Sequence, residues 1–138
     1  MATLSKFNVF TTDLTNGKHD FSTHVYKVML TNVAPIATNT VFANITDIAA
    51  GNGYTAGGTV TTVTKSNTSG TEKLLFSDVV FTATGSVSTF RYAVIYNDTQ
   101  TSPAKPLVGW TDYGSAVSMV NTNTFTVDFD GSAGAITI

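Results

Sequence analysis

The chain has 138 residues, no cysteine, a formal net charge of −2 and only 12% charged residues. That charged fraction is about half the ~25% of an average globular protein, so no basic surplus exists for a nucleic-acid backbone. The missing cysteines exclude disulfides, thiolate metal sites and cysteine nucleophiles, and the length fits one domain around a single core.

Thr, Val and Ile supply 47 residues, whereas Glu and Gln occur once each, as Glu72 and Gln100. Strand formers therefore dominate, and a helical bundle or coiled coil is excluded. The opening Met1-Ala2-Thr3-Leu4-Ser5-Lys6 lacks an apolar run of signal-peptide length, so no secretory signal is expected. No stretch approaches the ~18–20 apolar residues of a membrane span.

In chain order, residues 5–15 predict a short helix. Phe7, Phe10 and Leu14 recur at helical spacing, Ser5 is the candidate cap and Asn16-Gly17 the stop. The alternation of Phe7, Val9 and Thr11 supports a strand as the competing reading. Residues 25–30 read as a strand ending before Pro35. Residues 39–50 predict a second helix, with Thr38 or Asn39 as cap and Val41, Ile45 and Ile48 as its apolar stripe, flanked by Phe42 and Ala49. Four glycines then fall within residues 51–58, an irregular connection.

The remainder reads as strands. Residues 59–64 form a Thr/Val strand, 65–71 a turn cluster around Gly70, and 74–84 a long strand. Residues 90–96 are apolar on both faces, which predicts a central strand. A polar loop over 97–106 precedes a strand at 107–113, and residues 115–120 fit no single pattern. Residues 124–130 alternate Phe125, Val127 and Phe129 against Thr and Asp, a half-buried strand. Residues 135–138 close the chain. About seven strands with one or two short helices in the N-terminal half predict a single two-sheet β-sandwich spanning 1–138, with a small β-barrel as the alternative.

Few residues suggest chemistry. The glycines of 51–58 follow a predicted helix and precede a strand, the reverse of a phosphate-binding loop, and no lysine is near before Lys65. Asp128-Phe129-Asp130-Gly131 resembles the start of a calcium loop. Its sixth position is Ala133, however, and its last ligand would fall beyond Ile138. His19 and His24 flank Asp20 and, with Asp13, suggest at most a weak metal site; Ser22 has no recognisable catalytic partners. Trp110, Asp112 and Tyr113 form the most sugar-like cluster, although a core tryptophan at a strand end explains it as well. Arg91, the lone arginine, lies in the most apolar strand and needs an acceptor in its own chain or in a neighbouring subunit. No catalytic, cofactor or metal residues are assigned, and an enzyme is not expected.

Several stretches together resemble a family of small virion structural proteins of tailed bacteriophages and prophages. They are Leu30-Thr31-Asn32-Val33-Ala34-Pro35, the run from Ile48-Ala49-Ala50 through Gly57-Gly58, Phe90-Arg91-Tyr92-Ala93-Val94-Ile95-Tyr96-Asn97-Asp98, and Gly109-Trp110-Thr111-Asp112-Tyr113-Gly114. The likeness runs from about Phe7 to Phe129. Within that class a small, cysteine-free, Thr-rich β domain is similar to head decoration (cement) proteins. The resemblance implies a non-enzymatic protein made in the bacterial host cytoplasm and carried on the outer surface of the head. It would bind the major capsid protein as a homo-oligomer, most simply a trimer, without cofactor, nucleic acid or membrane. Phe7, Phe10, Gly53, Tyr54, Arg91 and Trp110 are the expected interface residues. A tail or neck component is the alternative, and a carbohydrate-binding module using Trp110, Tyr113 and Tyr54 is a further one.

Overall fold

A computed structural model describes residues 4–138. It is mainly β, as expected, and consistent with a sandwich rather than a closed barrel. Strand β1 (Ser5–Lys6) leads into helix α1 (Asn8–Thr15), and β2 (Tyr26–Thr31) follows. After the glycine-rich connection come β3 (Thr59–Thr61), β4 (Val63–Thr68), β5 (Thr71–Phe76) and β6 (Val79–Thr82). The long strands β7 (Val87–Asn97) and β8 (Leu107–Met119) precede β9 (Thr124–Val127) and β10 (Ile136–Thr137). Among the described residues, no helix is long and apolar enough to cross a membrane.

All pairings are antiparallel. A five-stranded sheet runs β1-β8-β7-β2-β3, a three-stranded sheet β10-β5-β4, and β6 pairs with β9. Period-two alternation decides what each face of the large sheet buries. Tyr26, Val28, Leu30, Ala93, Ile95 and Val108 share one core with Leu74, Phe76, Val79, Phe81, Val127 and Ile136 of the smaller sheets. Met29, Val94, Tyr96 and Leu107 share a second core with Phe7 and Ile45, flanked by Phe42 and Trp110. Strand β7 is therefore central and buried on both sides, as its sequence requires.

Three expectations need correction. The helix over 5–15 exists but starts at Asn8; its N-cap is Phe7, which makes no side-chain cap bond, and Ser5 lies in β1 opposite Trp110. The helix over 39–50 shrinks to one 3-10 turn at Phe42–Asn44. Here the Asn44 side chain accepts the N–H groups of Thr40 and Val41, and Ile45 is extended. Local bonding of this kind competes with the helix among residues of low propensity. The extended chain also lets Ile45 enter one core and Ile48 the other, which one helical stripe cannot do.

The third correction concerns the middle strands. The turn expected over 65–71 is only Ser69-Gly70, both at positive φ, so β4 and β5 form a two-residue hairpin. The strand expected over 74–84 is broken between β5 and β6. There the Ser77 Oγ accepts the Thr62 N–H at 2.9 Å, and Asp78 accepts the Phe129 N–H at 2.8 Å.

Candidate functional site

The residues expected to meet a partner fall into two groups. Phe7, Phe10 and Tyr54 are almost fully buried, so as side chains presented to a partner they are corrected. Phe7 lies 4.5 Å from the half-buried Trp110 ring, and Phe10 packs edge-on against Phe21. The Tyr54 hydroxyl donates to Asp47 at 2.5 Å and accepts the Leu30 N–H at 3.0 Å. Burial pushes its pKa far up. The second Asp47 oxygen accepts the Gly57 N–H at 2.7 Å, and the Tyr96 hydroxyl donates to the Gly57 carbonyl at 2.6 Å. The glycine-rich loop is thus tied to the sheet. Gly53 sits at φ +97° with its backbone against the Thr82 carbonyl, where no side chain fits.

Arg91 finds its acceptor within the chain. Its Nε and Nη2 donate to the two Asp112 oxygens at 2.8 and 3.0 Å. The Arg91 hydrogen bond, helped by the Gly114 N–H, holds the Asp112 carboxyl below its ordinary range. Trp110, Asp112 and Tyr113 do not converge on one platform: Trp110 joins the Phe7 core, Asp112 holds Arg91, and Tyr113 lies against Phe125 at 5.1 Å.

The two histidines do come together, around a residue that spacing along the chain does not connect to them. Asn97, at the end of β7, accepts the Thr99 and Gln100 N–H groups through Oδ1. That fixes its amide orientation and turns Nδ2 toward His24 Nδ1 (2.9 Å), His19 Nδ1 (3.3 Å), the Tyr26 hydroxyl (3.3 Å) and the Lys18 carbonyl (3.2 Å). Nδ2 has two hydrogens for these four neighbours, and an imidazole that accepts one of them at Nδ1 carries its own proton on Nε2. Burial, with His24 nearby, lowers the His19 pKa to about 4. Among the described residues no three His, Cys, Asp or Glu side chains are grouped as metal ligands would be.

Strand β4 is an open edge strand. It pairs with β5 alone, and five of its six residues are exposed. The two-residue hairpin places Thr68/Thr71, Ser66/Lys73 and Thr64/Leu75 as hydrogen-bonded pairs, in phase with the Ser77 N–H donating to the Thr62 carbonyl. The N–H and C=O groups of Val63, Lys65 and Asn67 therefore point to the free edge, which no described strand covers. Compared with known proteins, the chain matches no family model, no curated protein and no solved structure.

Proposed function

We propose that the protein is a structural component of a tailed-phage particle, a decoration protein that adheres to the major capsid protein on the outside of the head. Its unit is a homo-oligomer, most simply a trimer. The family resemblance of the sequence suggests the setting, and the free edge of β4 is the observation that carries the adhesive reading. An unpaired strand edge is a template for β-augmentation. Around it stand Thr64, Ser66, Asn67 and Thr68, neutral side chains that neither repel nor attract strongly. Behind the edge, Leu74 and Phe76 of β5 are buried in the core and Val63 of β4 packs against it, so docking onto an already paired strand orders little chain and costs little entropy.

A clamp of this kind acts by mass action. Binding the expanded shell and not its precursor adds free energy to one state alone. Several copies joined in one unit gain avidity across neighbouring capsid subunits.

Proline scanning of β4 with quantitative mass spectrometry and cryo-electron microscopy of particles tests the proposal. Lys65→Pro removes an edge donor while sparing the β4–β5 ladder, so the protein is expected to fold and its occupancy to collapse. Ser66→Pro cuts the ladder itself, and the hairpin is expected to melt. Wild-type occupancy for Lys65→Pro would refute the edge as the adhesive element. Particles lacking the protein would refute the virion assignment. A handful of copies per particle would move it to the neck or a fibre.

A further inference from the structure

A regular strand with an open edge invites pairing, and folds guard such edges with a proline, a bulge, charges or a covering segment. Strand β4 reads Val63-Thr64-Lys65-Ser66-Asn67-Thr68, without proline. Its register against β5 runs unbroken from Val63 opposite Phe76 to Thr68 opposite Thr71, without a bulge. Thr64 to Thr68 are exposed on both faces of the hairpin, so little of the body overhangs this length of edge. The single guard is Lys65, the one charged residue of the strand, and its position decides what the edge accepts.

A second copy of the chain can approach this edge antiparallel, about a twofold axis. Only residues whose N–H and C=O groups point outward, here Val63, Lys65 and Asn67, can form the hydrogen-bonded pairs of the new ladder. Two registers then use most of the strand. One sets Lys65 against Lys65 of the second copy, and like charges directly opposite destabilise a sheet. The other sets Lys65 against Asn67, Asn67 against Lys65 and Thr64 against Thr68, with Ser66 facing itself on the axis.

The second register is complementary on both faces. On the outer face, Thr64/Thr68 and Ser66/Ser66 become close, non-hydrogen-bonded pairs whose hydroxyls can bond across the strands. On the inner face, Asn67 Nδ2 already donates to Glu72 Oε2 at 2.8 Å. Its Oδ1 is left to accept from the incoming Lys65 ammonium, with the Glu72 carboxylate one strand further on. Twofold symmetry repeats each of these contacts.

We infer that the free protein pairs with a second copy of itself through the β4 edge, antiparallel, with Ser66 on the twofold axis. The inference shares the open edge with the proposed function but not the virion setting. On a particle, a capsid strand displaces the second copy, so the two uses of the edge compete, and a trimer there is joined through other surfaces.

Cysteine cross-linking tests the register, in a chain that has no cysteine of its own. Single Thr64→Cys, Ser66→Cys and Thr68→Cys proteins are purified reduced and then oxidised with copper–phenanthroline. All three positions are exposed on the same face, so random collision links them equally. In the inferred register only Ser66 meets its own copy, at the Cα separation of about 4.5 Å that a disulfide accepts. Ser66→Cys is therefore expected to form a linked dimer about tenfold faster than Thr64→Cys or Thr68→Cys alone. A mixture of Thr64→Cys and Thr68→Cys is expected to link as fast as Ser66→Cys. Adding Lys65→Pro to Ser66→Cys, with the unfolding curve unchanged, is expected to abolish the advantage. Equal rates for the three single variants, or fastest linking in a mixture of Thr64→Cys and Ser66→Cys, would overturn the inference. Because no particles are involved, a self-pairing protein that is missing from virions would remove only the virion assignment. A protein that occupies virions while Ser66→Cys shows no advantage would remove only the self-pairing.

Discussion

The His19 imidazole shows how one buried group governs the behaviour of its neighbourhood. It stacks on Phe21, packs against Phe10 and accepts hydrogen bonds only in its neutral form. Its pKa of about 4 lies below the ordinary 6.5, which means that the folded state resists protonation. The unfolded chain therefore takes up this proton first. Stability is full above about pH 6.5, falls as pH drops, and its loss is complete below about pH 4. At 1.36 kcal/mol per unit, the total is on the order of 3 kcal/mol. The groups around it act in known directions. His24 opposes a second positive charge beside it. Asp13 is held neutral-leaning by burial, an effect relieved on acidification, so it works against the histidine. Denaturant midpoints measured from pH 7 to pH 4 are expected to show this loss. His19→Phe, which keeps the stacking ring, is expected to remove most of the slope; an unchanged slope in that variant would contradict the assignment.

Among the elements, a glycine after α1 and one in the glycine-rich connection separate a need for glycine's conformation from a need for space as well. Gly17 and Gly58 both lie at positive φ, but Gly17 has open space where a Cβ would stand, whereas Gly58 abuts the Val28 carbonyl and the Met29 backbone. Gly17→Ala is expected to cost about 1 kcal/mol. Gly58→Ala adds a backbone collision in the middle of β2, and its cost is expected to exceed about 3 kcal/mol. Thermal unfolding of the pair checks the ordering, and equal losses would contradict it. The sequence made such elements legible unevenly. Strand β7 could be read because apolar residues on both faces leave few other placements, and β9 because Phe125 and Val127 alternate with threonines. The 39–50 segment could not, because its stripe of Val41, Ile45 and Ile48 fits a helix and also a chain passing between two cores. Only tertiary contacts choose between those readings. The Asn97 junction was invisible for a related reason: its partners are more than seventy residues away, and no local pattern announces a side-chain network. Tyr113 was legible as an aromatic residue near Asp112, but its exposure depends on a bulge that the run of β8 residues conceals.

At the scale of the whole molecule, sparse charge constrains how the proposed adhesion would work. The charged residues that exist are partly spent on one another: Asp98 holds both Lys27 and Lys105, at 3.1 and 3.3 Å, and Asp112 holds Arg91. What remains at the β4 edge is backbone N–H and C=O, hydroxyls and amides, with Lys65 as the one cation on the strand. Hydrogen bonds between neutral groups do not release counterions, and a pairing strand excludes water from the bonds it forms. An interface built this way is expected to be nearly indifferent to salt. Raising sodium chloride from about 0.05 to 0.5 M shortens the screening length from roughly 14 Å to 4 Å, which weakens exposed ion pairs strongly and a β-augmented edge hardly at all. Occupancy on purified particles, followed by quantitative gel or mass spectrometry after incubation at each salt concentration, is expected to change less than about twofold. Lys65→Gln is expected to leave that profile flat, because its backbone edge is intact, whereas Lys65→Pro removes binding at every concentration. Release of most of the protein by salt alone would mean that charges, not strand pairing, hold it in place.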